Sequence, residues 1–123
     1  MKRCGNQSVT VMTHKMKLSP TAFKSISSGK KTVEMRLFDE KRAAINVGDE
    51  IEFENTDTRQ KIKCTVINLE RYKDFFELYS RYDKISIGYV ENETADPRDM
   101  YAYYPPESIE KYGVLAIEIR LIK

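Results

Sequence analysis

A chain of 123 residues with 41% apolar side chains has room for one domain around one core. Its formal net charge of +2 neither demands nor excludes a nucleic-acid partner, because a local basic patch acts even when the total stays near neutral. No apolar run approaches the roughly 18–20 residues of a membrane span, the opening MKRCGNQSVTVMTHK lacks the apolar stretch of a secretory signal, and two distant cysteines with one histidine do not make a zinc site. The expectation is a cytoplasmic protein with no metal or other cofactor and no membrane partner.

Residues 1–9 are polar and aperiodic and are expected to be flexible, leaving 10–123 as the single domain. TVMTHKMKL (10–18) alternates with Met12, His14, Met16 and Leu18 on one parity, which predicts a strand. Ser19 and Pro20 then signal a helix start, Leu18 is placed to staple onto Phe23, and Gly29 supplies a stop. A second strand spans about 31–38. Gly48-Asp49 marks a turn before a strand with Ile51 and Phe53 inward and Glu50, Glu52 and Glu54 outward. Residues 60–71 form a longer strand with a small buried Cys64. Its parity switches at Val66-Ile67, which predicts either a bulge or burial on both faces. Phe75, Leu78, Tyr79 and Tyr82 make a helical stripe over 73–82, whereas 83–95 show no period. Asp96-Pro97 opens a short helix in PRDMYAYY, Pro105-Pro106 ends it, ESIEKYG adds another turn of helix, and VLAIEIRLI alternates as the last strand. This order lacks βαβ repetition. It predicts an α+β, mainly β fold: a small barrel with short flanking helices, and Val33, Met35, Ile51, Phe53, Ile117 and Ile119 in its core.

The stretch SGKKTVEMRLFD (28–39) raises the functional question. In a strand, Val33, Met35 and Leu37 point one way, while Glu34 and Arg36 point the other, about 7 Å apart. Lys31 joins them only if it precedes the regular strand, in the turn after Gly29. On spacing alone the cluster is either a site or a solvated face with a weak ion pair. DEKR (39–42) is likewise an exposed turn or a basic rim in which Lys41 and Arg42 reach phosphates. His14, between Met12 and Met16, reads as a partly buried, satisfied histidine rather than a catalytic base. Tyr101, Tyr103 and Tyr104 either stack bases or cover the core.

Gly29, Lys31, Glu34 and Arg36, spaced G-x-K-x-x-E-x-R at the head of a strand, resemble the signature of the ASCH domain family of the PUA-like superfamily. The resemblance continues through Leu37, Asp39, Lys41, Arg42, Gly48-Asp49 with EIEF, and the closing YY (103–104) and KYGVLAIEI, covering about residues 12–122. It implies a small β-barrel with a cleft beside the motif strand, used for RNA, a nucleotide or a modified nucleoside and lined by Lys31, Glu34 and Arg36. Under a binding role, Arg36, Lys41 and Arg42 meet phosphate, Glu34 accepts from a base edge, and Tyr103 or Tyr104 stacks. The alternative is a small hydrolase, either a ribonuclease or an amidohydrolase acting on a modified cytidine. Its catalytic pair would be Lys31 and Glu34, although the deacetylating relatives carry a threonine nucleophile where this chain has Glu34.

Overall fold

The computed structural model describes residues 10–123. The expectation for residues 1–9, and Cys4 with it, lies outside the described residues. The elements run β1 (Thr13–Leu18), α1 (Pro20–Ser27), β2 (Val33–Leu37), α2 (Glu40–Ala43), β3 (Glu50–Asn55), β4 (Lys61–Tyr72), α3 (Phe75–Tyr79), a 3-10 helix (Pro97–Ala102), α4 (Pro106–Tyr112) and β5 (Val114–Leu121). Among the described residues no helix is long and apolar enough to cross a membrane.

The five strands form one curled half-barrel sheet in the order β1-β3-β4-β5-β2. Only β1 and β3 pair in parallel; the other three neighbours are antiparallel. β1 and β2 are the two edges, and a side chain links them: Arg36 of β2 donates through Nη2 to the Lys17 carbonyl of β1 at 3.0 Å.

Local sequence accounts for each element that frames the site. Ser19 caps α1 by accepting from the Ala22 N–H, Pro20 occupies the first turn, and Gly29 takes a φ of 83° just beyond the helix. Leu18 and Phe23 are both buried, as a staple requires. The parity switch in β4 is a bulge. Val66 pairs with Ile119 and Asn68 with Glu118, so Ile67 is the extra residue and is left exposed. DEKR is a short helix rather than a turn, because Asp39 caps α2 by accepting from the Arg42 N–H at 3.0 Å. His14 is half-buried, and its Nε2 lies 2.8 Å from the buried Asp49 carboxylate. That carboxylate also accepts from the backbone N–H of Asn46 and Met12, fastening β1 to the turn that precedes β3.

All six expected core residues are buried, but they do not share one core. Met16, Leu18, Phe23, Ile26, Ile51, Phe53, Cys64, Val66 and Ile117 pack inside the curl of the sheet. Val33, Met35 and Leu37 pack on the other side of β2, in a second cluster with Phe75, Leu78, Ile87, Met100 and Ile109. The edge strand β2 and its antiparallel neighbour β5 are therefore covered on both faces. The face of β2 that carries Glu34 and Arg36 is the one turned into the curl, since their cross-strand partners Ile117 and Leu115 belong to the inner cluster.

Candidate functional site

Strand geometry places Glu34 where its neighbours are apolar, and the residue is only 4% exposed. Such a group needs partners, because an unpaired buried charge costs several kcal/mol, on the order of the desolvation penalty of an ion. Two cations supply them. Lys31 Nζ lies 2.8 Å from Glu34 Oε1, and Arg36 Nε lies 2.6 Å from Oε2. Lys31 reaches the pair from the turn before β2, where its backbone N–H donates to the Ser25 carbonyl at the end of α1. Burial pushes the Glu34 carboxyl up, but Lys31 and then Arg36 outweigh it, and the group is held below the usual carboxylate range. The inward direction of this charge is also felt at Cys64, whose thiol is pushed up to about 11 by burial and, second, by Glu34.

Lys31 is pinned from its other side by the loop that follows α3. Ser86 accepts from the backbone N–H of both Thr32 and Val33, docking the loop on the start of β2. Gly88 then packs on the lysine stem: it has a φ of 115°, and a Cβ there would stand 3.3 Å from Lys31 Cδ. Both the positive φ and the close approach call for glycine.

The cluster forms the floor of a cleft of about 770 Å³. Lys17, Ser19 and Thr21 from β1 and α1 make one side; Tyr79, Tyr89, Asp99 and Tyr103 from the helical side make the other. The tyrosyl side is internally bonded. Tyr79 Oη and Tyr89 Oη are 2.9 Å apart, and Tyr89 donates to Asp99 Oδ2 at 2.7 Å. Burial first, then its bonds to Tyr79 and Asp99, push the Tyr89 phenol far up, so it remains a donor at neutral pH. Tyr104 stacks on Phe75 with ring centroids 6.0 Å apart, whereas Tyr103 is 72% exposed at the mouth.

Of the residues singled out in the sequence, Lys31, Glu34, Arg36, Tyr103 and Tyr104 therefore line one cleft. Lys41 and Arg42 do not. Both stand on α2 outside the lining; Lys41 is exposed, and Arg42 Nη1 lies 3.4 Å from Asp39 Oδ2 in a local pair. Tyr101 is exposed and also outside the lining. Sequence reasoning missed Gly88, Tyr89, Asp99, Arg98 and Lys17. Gly88 and Tyr89 fall in the aperiodic segment 83–95, where an isolated Gly is the single local signal of a close approach. Lys17 has the opposite parity to Met16 and Leu18 in β1, and Tyr79 falls in the helical stripe over 73–82, so neither position by itself signals a cleft.

A family model described as the ASCH domain matches residues 16–123. Among solved structures, the chain is similar to the crystal structure of hypothetical protein PH0355 at 31% identity and a TM-score of 0.77, covering 90% of this chain and 100% of that one. It is also similar to the solution structure of protein PF0455 from Pyrococcus furiosus at 31% identity and a TM-score of 0.66, covering 91% and 99%. The ASCH protein from Zymomonas mobilis shares the fold at 21% identity and a TM-score of 0.64, covering 88% of this chain and 66% of that one. No curated protein matches. With the family match extending from β1 to the last residue and the half-barrel held in common with these structures, the chain belongs to the ASCH domain family.

Proposed function

We propose that this ASCH domain binds single-stranded RNA or a ribonucleotide in the cleft beside β2. The observation that carries the reading is the cluster on the cleft floor, where one buried carboxylate fixes two cations and leaves a surplus positive charge. A lysine ammonium has three N–H donors and a guanidinium five. Among the described residues Lys31 directs one bond to protein, to Glu34, and Arg36 directs two, to Glu34 and Lys17. The remaining donors serve phosphate oxygens, for which charge-assisted bonds are the strong class. Tyr103 supplies an exposed ring for base stacking, and Tyr104 a ring backed by Phe75. Glu34 acts in this reading as a positioning residue, since each of its oxygens already accepts from a cation. Lys41 and Arg42 have no part in the cleft contacts.

The hydrolytic alternative draws less from the geometry. A general base works best with a pKa near the operating pH, whereas Glu34 is held low and doubly paired, which makes it a weak acceptor for a water proton.

Fluorescence polarisation with a short labelled RNA and with a ribonucleotide, repeated at rising salt, tests the proposal. Binding should weaken with salt as Lys and Arg contacts release counterions, and Tyr103→Ala should cost about 1–3 kcal/mol, the worth of one stacked base. Absence of salt-sensitive binding to either probe overturns the reading. Mass spectrometry of acetylated cytidine and RNA after incubation with the protein distinguishes binding from turnover; a product would transfer support to the hydrolase.

A further inference from the structure

Three carboxylates line the cleft: Glu34, Glu93 and Asp99. Glu34 is doubly paired with Lys31 and Arg36, and Glu93 Oε1 accepts from the Val90 N–H of its own turn at 2.8 Å. Asp99, in the first turn of the 3-10 helix, is exposed and is aimed by two tyrosines. Tyr89 Oη has one proton and two acceptors in reach, the Asp96 carbonyl at 3.1 Å and Asp99 Oδ2 at 2.7 Å. The carboxylate is nearer and charged, and the carbonyl already accepts from the Asp99 N–H at 2.9 Å, so the proton goes to Asp99. With that proton spent, Tyr89 is the acceptor in its 2.9 Å contact with Tyr79. The donors therefore run from Tyr79 to Tyr89 to Asp99, and the two rings brace each other edge to face, with centroids 5.9 Å apart. Asp99 Oδ1 accepts from no described residue. No described cation pairs with this carboxylate either, because the neighbouring Arg98 is spent on Asp96 at 2.7 Å.

From this we infer that Asp99 reads the base of the bound nucleotide, accepting through Oδ1 from an exocyclic amino group, so that the cleft selects cytosine over uracil and adenine over hypoxanthine. The inference rests on the cleft reading above and names the ligand class within it. A ligand whose phosphate meets the Lys31 and Arg36 floor presents some other part to the wall that carries Asp99, since phosphate against carboxylate sets like charge on like. That part is the base, because the same wall carries the exposed ring of Tyr103, at the end of the same 3-10 helix, as its stacking surface. An ionised carboxylate is acceptor-only. It pairs with the N4 amine of cytosine or the N6 amine of adenine, and meets an oxygen in their place in uracil or hypoxanthine. The tyrosine chain holds Oδ2, which leaves Oδ1 for the ligand.

Calorimetric titration compares cytidine with uridine monophosphate and adenosine with inosine monophosphate, and repeats the first comparison with short oligocytidylate and oligouridylate. Each pair keeps the ring size and exchanges an amine for an oxygen. Wild type should prefer the amino-bearing member by about tenfold or more, the worth of a hydrogen bond to a charged acceptor. Asp99→Asn supplies the sharper outcome. Its amide oxygen takes the Tyr89 proton, which turns the NH2 group to the cleft, so the preference should invert in favour of the uracil and hypoxanthine ligands. Asp99 is exposed, and thermal melts confirm that the variant keeps its fold. Equal affinity within each pair, or a preference that Asp99→Asn leaves intact, overturns the inference and leaves the cleft reading standing. Binding of none of the probes overturns both.

Discussion

Replacing Glu34 with glutamine is the sharpest perturbation of this fold. The substitution keeps shape and removes the charge that holds Lys31 at 2.8 Å and Arg36 at 2.6 Å. The glutamine oxygen accepts from one cation, but its amide then presents N–H groups to the other. That second cation must turn to the cleft water, which is open to it, since the Lys31 and Arg36 side chains are 11% and 14% exposed. Breaking a fully buried pair costs about 3–5 kcal/mol; with this partial access to water, the low end, about 3 kcal/mol, is expected. Urea unfolding at neutral pH measures it, read as a lower midpoint at unchanged slope. A loss below about 0.5 kcal/mol, the size of a solvent-exposed pair, would refute the reasoning and return the charges of β2 to a wet strand face.

Three further outcomes follow from the same geometry. Glu34 is held below its ordinary range, so its stabilisation is fully present above the unfolded value of about 4.3 and lost as pH falls through the folded one; urea midpoints below about pH 4 should drop more in wild type than in Glu34→Gln, and parallel acid curves contradict this. Gly88→Ala places a side chain at a φ of 115° against Lys31, so it should cost about 1–2 kcal/mol and also weaken ligand binding; a variant of wild-type stability and affinity would show that the loop does not hold the lysine. Cys64 is fully buried, with its thiol pushed up to about 11. Iodoacetamide at neutral pH should therefore leave Cys64 unmodified in the native protein and alkylate it in urea, as peptide mass mapping reads out, and rapid native alkylation would refute the burial.

Much of this architecture is legible in the residues. Period-two alternation marks β2, β3 and β5, Ser19-Pro20 and Gly29 delimit α1, and the Val66-Ile67 parity switch is the bulge. What alternation does not reveal is which face is wet. Val33, Met35 and Leu37 are satisfied by a second cluster built from Phe75, Leu78, Ile87, Met100 and Ile109, residues distant in sequence. Nothing local shows that the opposite face, with Glu34 and Arg36, is also enclosed. The hold on Lys31 is hidden for a similar reason. Gly88 and Ser86 act through backbone position in a segment with no period, and tertiary docking of a loop leaves no repeating trace in its side chains. The charge of Lys41 and Arg42 suggests a basic rim, but both stand on α2, capped by Asp39, and neither lines the cleft.

The central claim, that the cleft beside β2 receives RNA, is tested most directly by following backbone amide resonances of the isotope-labelled protein while a short single-stranded RNA is added. The account predicts shifts that saturate together at Lys31, Glu34, Arg36, Gly88 and Tyr103, and that recede as salt is raised. Unmoved cleft resonances, or shifts confined to the outward side of β3 around Glu52 and Glu54, would contradict it.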